Sequence, residues 1–322
     1  MQANSITAIV HQMRIEAPNI VSLELRPTDV QRPFVQGQAG AHIDLHLSDG
    51  LVRSYSLVHP DQSGKYTVAV LKDRNSRGGS RYIHEKLRVG QVLTISEPRN
   101  NFSLIEDSPA SVLIAGGIGI TPLYAMLQRL AELGCSAHLI YCARSRSEAA
   151  YVHEIEKLVE SHPKLSVYWH WDDEKGVPPA LEKLLAGTSA STHLYACGPV
   201  PLLDAFEAAC SKLGLPNAHL ERFSAPVTLS SGESGSYTVE LRKSGKSVTV
   251  PAGANLLETL LSSGFNMSHS CKEGICGACE TRVLEGDIEH LDGILTKQEQ
   301  AANKSMMICV SRCRSEHLVL DA

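Results

Sequence analysis

Short runs of alternating apolar and polar residues fill the first third of the chain. They cover residues 20–25, 41–47, 53–58 and 66–70 and are separated by Gly, Pro and Asp-Gly. A period of two is typical of strands that bury one face. Residues 1–106 are therefore predicted to form an antiparallel β-barrel or sandwich domain.

The pattern changes near residue 110. Continuous apolar runs, typical of buried strands, cover residues 111–115, 138–142, 166–170 and 193–196. Helical patterns separate them at residues 122–133, 148–160 and 200–213. Strands that alternate with helices predict a parallel sheet, so residues 107–226 are expected to form an α/β domain.

A Ser- and Gly-rich stretch follows at residues 224–236, and we assign residues 227–236 to a flexible linker. Beyond it, residues 237–241 and 247–250 flank a Lys-Ser-Gly-Lys turn and predict a hairpin, and residues 255–263 have a helical pattern. Residues 237–322 are therefore predicted to form a third domain that contains both strands and helices.

Composition fits this division, because 322 residues exceed the roughly 100–150 residues of one ordinary domain. With 43% hydrophobic residues and a net charge of −5, the chain reads as globular and has no electrostatic reason to bind nucleic acid. The N-terminus lacks a basic and apolar secretion signal, and no run of roughly 18 apolar residues occurs. We therefore expect a cytoplasmic protein without a membrane partner.

Five of the nine cysteines lie between residues 271 and 313. An odd count and the missing signal favour thiols or metal ligands over disulfides. The spacing Cys271-x4-Cys276-x2-Cys279, with Cys309 after 29 further residues, is the plant-type ferredoxin arrangement of [2Fe–2S] ligands. Structural zinc, or cysteines without a metal role, is the alternative.

Two further residues near these cysteines could be mistaken for ligands. Cys313 follows Cys309 by only four residues, but the spacing favours Cys309. His269 would suit a Rieske centre, which needs two histidines and two cysteines, whereas four cysteines are already present here. We therefore predict that neither Cys313 nor His269 binds the cluster.

Two loops in the α/β domain have the character of a nucleotide site. Each follows a predicted strand and precedes a helix, where backbone N–H groups and the helix dipole favour a pyrophosphate. Their candidate residues are Gly116, Gly117, Gly119, Thr121 and Pro122 in one loop, and Cys197, Gly198 and Pro199 in the other. Thr121 is expected to be the helix N-cap and Pro122 the first helical residue. A glycine turn alone is weak evidence, and Cys197 could simply be a buried small residue.

These features together resemble the ferredoxin–NADP⁺ reductase superfamily, and in particular the phthalate dioxygenase reductase family. The carriers of the resemblance are Arg53-Ser54-Tyr55-Ser56, Gly116–Pro122, Cys197-Gly198-Pro199, His219-x-Glu221-x-Phe223 and the C-terminal cysteines. The order of flavin, nucleotide and cluster modules covers essentially the whole chain. The implied fold is an antiparallel β-barrel flavin domain, an α/β nucleotide domain and a β-grasp ferredoxin domain.

The resemblance also implies roles for single residues. Arg53, Ser54, Tyr55, Ser56, Gly79, Ser80 and Phe223 would bind FMN, with Arg53 on its phosphate, Tyr55 and Phe223 against its ring, and Ser56 near N5. Cys197 would lie beside the nicotinamide, so Ser56 and Cys197 are the catalytic candidates. FAD is the alternative to FMN. NADH is the implied coenzyme, although Arg144 and the neighbouring Ser145 and Arg146 follow a strand where they could hold the 2′-phosphate of NADPH.

The implied activity is a monomeric reductase component of a multicomponent Rieske-type aromatic-ring oxygenase. Electrons would pass from NADH to FMN to the [2Fe–2S] cluster and then to the terminal oxygenase, because nicotinamide gives electrons in pairs and the cluster takes them singly. Two other readings are an electron carrier or redox sensor with a vestigial flavin domain, and a flavin reductase that releases reduced flavin. The sequence identifies neither the acceptor nor its aromatic substrate.

Overall fold

The computed structural model describes residues 5–60, 64–74, 76–223 and 235–322. The chain divides into two compact units, one of residues 4–223 and one formed mainly by residues 224–322. The first unit contains both the predicted barrel domain and the predicted α/β domain. The predicted linker lies almost entirely outside the described residues.

A six-stranded antiparallel sheet opens the first unit, in the order β4-β3-β6-β1-β2-β5. A bridge from Leu57, the residue after β4, to Val68 within β5 links the two edge strands, so the sheet curls into a barrel. Alternation puts Leu23, Ile43 and Ile95 inside it, fully buried. The elements are β1 (Ser5–Ala17), β2 (Ile20–Pro27), β3 (His42–His46), β4 (Val52–Ser56), β5 (Tyr66–Leu71), α1 (Gly79–Glu85) and β6 (Val92–Ser96).

A five-stranded parallel sheet completes the first unit, in the order β11-β10-β7-β8-β9. Helices cover it, and its core continues into the barrel through residues such as Phe102 and Val58. The elements are β7 (Ala110–Gly116), α2 (Ile120–Glu132), β8 (Ser136–Ala143), α3 (Val152–Ser161), β9 (Leu165–Trp171), α4 (Asp172–Lys175), α5 (Leu181–Leu184), β10 (His193–Cys197), α6 (Val200–Leu213) and β11 (Ala218–Glu221).

Two helix starts in this half differ from the prediction. A 3₁₀ turn at Gly117–Gly119 starts α2 at Ile120, so Gly119 is the N-cap. Thr121 is therefore not the N-cap, and Pro122 is not the first helical residue. The helix expected from residue 148 begins only at Val152, because the residue before it, Tyr151, has a left-handed backbone with φ of 61°.

The second unit contains a five-stranded mixed sheet in the order β13-β12-β18-β14-β16 and a two-stranded sheet of β15 and β17. β12 and β18 run parallel, while β12 and β13 form the predicted hairpin. Helix α7 packs on this sheet, with the Asn255 side chain capping its N-terminus. The elements are β12 (Tyr237–Leu241), β13 (Lys246–Val250), α7 (Leu256–Ser262), β14 (Glu280–Glu285), β15 (Ile288–Glu289), α8 (Lys297–Ala302), β16 (Ser305–Met307), β17 (Arg312–Cys313) and β18 (His317–Leu320). Across the described ranges of both units, no helix has the length and apolar character needed to cross a membrane.

Candidate functional site

Strand β4 carries the predicted flavin motif along the barrel edge. Tyr55 lies opposite Ile43 on β3 and packs against the barrel core. Ser54 faces the other side of the strand, because its hydroxyl donates to the buried carboxylate of Asp44 at 2.6 Å. Tyr55 therefore lies on one face of the strand, and on the other face the Ser54 hydroxyl is hydrogen-bonded to Asp44.

Arg53 lies across the start of α1. Its guanidinium donates to the carbonyl of Arg77 at 3.3 Å. A side chain on Gly79 would have its Cβ 2.6 Å from Arg53 Cγ, so only glycine fits there. Ser80 forms hydrogen bonds inside its own loop, to Ser76 Oγ at 2.9 Å. A guanidinium beside a glycine at a helix start suits a flavin phosphate, so these residues fit the predicted group.

The C-terminal ends of β10 and β11 bring three polar groups together. Cys197 and Glu221 are paired across these strands, and the Ser56 hydroxyl on β4 lies near the Glu221 carboxyl group. Burial raises the pKa of Glu221 to about 8, and the nearby Ser56 hydroxyl opposes this only partly. Its Oε2 is buried without a hydrogen-bond partner among the described residues. Glu221 is therefore predominantly neutral at pH 7.

Cys197 lies fully buried behind this carboxyl group. Burial, and then the neighbouring Glu221, raise the pKa of its thiol well above the usual value. The side chain is therefore a neutral thiol and not a nucleophile. Phe223, two residues beyond Glu221, is 37% exposed, an unusual exposure for an aromatic side chain.

Glu221 belongs to the His219-x-Glu221-x-Phe223 motif but is not one of the site residues that the sequence predicts. Its chemistry depends on burial and on a contact with Ser56, which lies far away in the sequence. The only sequence signal is its position two residues before Phe223 at the end of the α/β domain. The structure therefore adds Glu221 to the candidate site.

The two nucleotide loops touch each other directly. A Cβ on Gly119 would lie 2.2 Å from the carbonyl oxygen of Cys197, and one on Gly198 would lie 2.9 Å from Gly116 Cα. A Cβ on Gly116 would likewise meet Pro199 Cδ at 2.6 Å. These glycines allow backbone to pack on backbone at the carboxyl ends of β7 and β10, which is where parallel sheets bind ligands.

Other predicted nucleotide-site residues around these loops have different surroundings. Gly117 has φ of 54° and open space beside it, so its backbone can face a ligand. Thr121 is buried and donates to the carbonyl of Ile118 at 3.1 Å. Arg144 pairs with Glu148 at 2.8 Å, and the Ser145 hydroxyl bonds that of Ser147 at 3.0 Å.

The four predicted ligand cysteines converge in the second unit, and each is at most 6% exposed. Cys279 and Cys309 have their sulfurs 3.1 Å apart, and Cys271 and Cys276 are hydrogen-bonded. The bond from Cys276, together with N–H donors including that of Glu273 at 3.3 Å, lowers the pKa of Cys271 below its usual value.

The four thiols match the ligand type of a two-iron cluster. Four buried thiols approached by backbone N–H groups are the donor set of a two-iron cluster. Cys313 points elsewhere, with its sulfur 3.1 Å from Ser315 Oγ, and His269 bonds the carbonyl of Met267.

Comparisons with known proteins agree with this arrangement. Residues 113–208 match the oxidoreductase NAD-binding domain, and residues 239–314 match the 2Fe-2S iron-sulfur cluster binding domain. The chain is 43% identical to tetrachlorobenzoquinone reductase of Sphingobium chlorophenolicum, over 99% of this chain and 98% of that protein. It is also 43% identical to a putative toluene-4-sulfonate monooxygenase system reductase subunit of Comamonas testosteroni, over 98% of each.

Solved structures give the same result. Phthalate dioxygenase reductase is 30% identical with a TM-score of 0.69, and the match covers 99% of this chain and 98% of that one. An intact type IV self-sufficient cytochrome P450 monooxygenase is 39% identical with a TM-score of 0.88, and the match covers 99% of this chain but 41% of that one. The chain is thus an NAD(P)H-dependent oxidoreductase that uses FMN and a [2Fe–2S] cluster, of the class that serves oxygenases, and it belongs to the phthalate dioxygenase reductase family.

Proposed function

We propose that this protein is the NADH-dependent reductase component of a Rieske-type oxygenase that acts on an aromatic compound. The observation that carries the proposal is the contact between Ser56 of the flavin strand and Glu221 beside Cys197 of the nucleotide crevice. That contact brings the predicted flavin site next to the predicted nicotinamide site, which supports direct hydride transfer from the coenzyme to the flavin. When bound, the flavin accepts electrons as a pair and releases them singly to the cluster.

The residues of this crevice act by position and by charge. We infer that the Ser56 hydroxyl orients the reacting edge of the flavin, and that Cys197 forms the floor beneath the nicotinamide. A neutral Glu221 avoids a fixed negative charge beside the position that receives a hydride, where a carboxylate would oppose the transfer. Hydride transfer needs no protein acid or base, so orientation is the main contribution of these side chains.

Charges at the coenzyme ribose favour NADH. Arg144 and Arg146 are each engaged by a glutamate, at 2.8 Å and 2.7 Å respectively. The backbone N–H of Asp173 bonds the carbonyl of Arg144 at 2.9 Å, so the acidic start of α4 lies beside these arginines. Carboxylates there repel a 2′-phosphate and accept hydrogen bonds from a ribose 2′-hydroxyl.

The remaining assignments follow the same geometry. Arg53 and Gly79 would hold the FMN phosphate, Tyr55 and Phe223 would cover the flavin ring, and the backbones of Gly117 and Gly198 would face the coenzyme pyrophosphate. We also infer that the protein acts in the cytoplasm as a monomer. The order of the modules, with the cluster domain last, supports an external acceptor for its electrons.

Replacing Ser56 with Ala tests the crevice. We expect flavin reduction to slow by about fivefold, the worth of one hydrogen bond of about 1 kcal/mol, while the flavin stays bound. Stopped-flow absorbance with NADH measures the rate. Ser54→Ala is the matched control, since that hydroxyl faces Asp44, and it should leave the rate unchanged. Equal rates in wild type and Ser56→Ala would contradict the role of Ser56.

The acceptor is tested by offering alternatives. Relatives are named for vanillate O-demethylase and phenoxybenzoate dioxygenase systems, which supports an aromatic substrate for the partner oxygenase. With NADH as the electron source, we expect the protein to reduce a purified Rieske-type oxygenase rapidly, as measured by electron paramagnetic resonance. A quinone and a cytochrome P450 serve as the competing acceptors, because the names of two similar proteins contain them. Faster reduction of either one would contradict the Rieske assignment.

A further inference from the structure

Asp292 is a buried carboxylate in the second unit, between β15 and α8. Its side chain is fully buried. Oδ2 accepts the backbone N–H groups of Ile294 and Leu295 at 3.2 Å and 2.8 Å, and Oδ1 accepts the Ser311 hydroxyl at 3.3 Å. Such bonds compensate for the lost hydration of a buried charge.

No lysine or arginine in the described part of the chain forms an ion pair with this carboxylate. The nearest basic side chain is His290, whose Nδ1 lies 3.7 Å from Asp292 Oδ1, beyond hydrogen-bond distance. Both ring nitrogens of His290 are buried and have no hydrogen-bond partner among the described residues. The carboxylate is thus held by hydrogen bonds from two backbone N–H groups and one hydroxyl.

The same residue lies against the loop that carries three of the cluster ligands. A Cβ on Gly274, between Cys271 and Cys276, would be 3.2 Å from Asp292 Cα and 3.3 Å from its Cβ. The N–H of Gly293 donates to the carbonyl of Gly274 at 3.0 Å. The N–H of Gly274 in turn lies near the thiol of Cys309 and lowers its pKa. Asp292 therefore packs against the backbone of the loop that carries the ligand cysteines.

We propose that Asp292 is a positioning residue that holds the cluster loop and whose buried negative charge lowers the reduction potential of the [2Fe–2S] cluster. A fixed negative charge at short range, with little water between, opposes the addition of an electron. The inference depends on the cluster and not on the identity of the final acceptor. It therefore survives if the proposed Rieske partner is wrong.

Asp292→Asn removes the charge: its amide oxygen can still accept the N–H groups of Ile294 and Leu295, and the Ser311 hydroxyl can turn to accept from its NH2 group. We expect wild-type cluster content and a positive shift of the cluster midpoint potential, measured on the full-length protein by spectroelectrochemical titration. Asp287→Asn is the control. Asp287 directly precedes β15, the strand that Asp292 follows, and it is exposed to water, which screens its charge. An unshifted potential in Asp292→Asn, or an equal shift in Asp287→Asn, would overturn the proposal.

A second variant gives a shift of opposite sign. Ser311→Ala removes one donor from the carboxylate and leaves its charge less compensated, so the midpoint potential should become more negative. A loosened loop would instead move both variants in the same direction, and that result would contradict the proposal. Asp292→Ala removes the acceptor oxygens as well, and we expect it to lose cluster absorbance to a chelator faster than Asp292→Asn. Equal rates of loss would refute the positioning role.

Discussion

Glu221 supplies a prediction about stability that depends on pH. Its pKa is raised from 4.5 to about 8 in the folded protein, mainly by burial. Between these values the unfolded chain loses the proton and the folded chain keeps it, so folding becomes less favourable as pH rises. The penalty is absent below pH 4.5, grows up to about pH 8 and is constant above it.

The size of the effect follows from the shift. Each unit of pKa difference is worth about 1.36 kcal/mol, so the penalty reaches about 3 kcal/mol at pH 7 and about 5 kcal/mol above pH 8. Glu221→Gln removes the ionisable group and keeps a polar side chain that can bond Ser56. Relative to wild type, the variant should therefore gain about 3 kcal/mol of unfolding free energy between pH 4.5 and pH 7.

Urea unfolding at several pH values measures this gain. Both tryptophans of the chain, Trp169 and Trp171, lie in β9, so their fluorescence reports on the unit that contains Glu221. Glu174→Gln, at an exposed position on α4, controls for the loss of one carboxylate. A difference between Glu221→Gln and wild type that stays constant from pH 4.5 to pH 9 would refute the buried, protonated carboxyl.

Two further predictions concern the nucleotide loops and the cluster. Gly119→Ala would place a methyl group 2.2 Å from the Cys197 carbonyl oxygen and force the two nucleotide loops apart. We expect the affinity for NADH, measured by calorimetry, to fall by roughly tenfold or more, about 1.4 kcal/mol, while FMN stays bound. An unchanged affinity would contradict the close packing of the loops. Cys313→Ser should keep the visible cluster spectrum and the iron content, whereas Cys309→Ser should lose both. A colourless Cys313→Ser protein would refute the ligand assignment.

The sequence predicted the fold class well because the relevant signals are local. Alternating runs, apolar strands followed by glycine turns, and the spacing of Cys271, Cys276 and Cys279 each depend on residues close together in the chain. The glycines at 116, 119 and 198 could be identified because only glycine tolerates such close backbone approach. The family resemblance then gave the order of the modules.

What the sequence missed depends on turns and on distant contacts. Thr121 looked like an N-cap, but a preceding 3₁₀ turn starts the helix at Ile120, and that turn has no distinct apolar pattern. The pairing of Arg144 with Glu148 and the hydrogen bond from Ser54 to Asp44 join residues that the sequence pattern does not connect. The ligand contacts expected for Arg144 and Ser54 stay predictions.

Electrons from NADH should reach the cluster through the flavin, and anaerobic titration of the purified protein with NADH, followed by visible absorbance, tests this path. We expect the flavin band to bleach together with a loss of cluster absorbance, and a Cys309→Ser variant to show only the flavin change. A flavin that bleaches while the cluster band of the wild-type protein stays constant would contradict it.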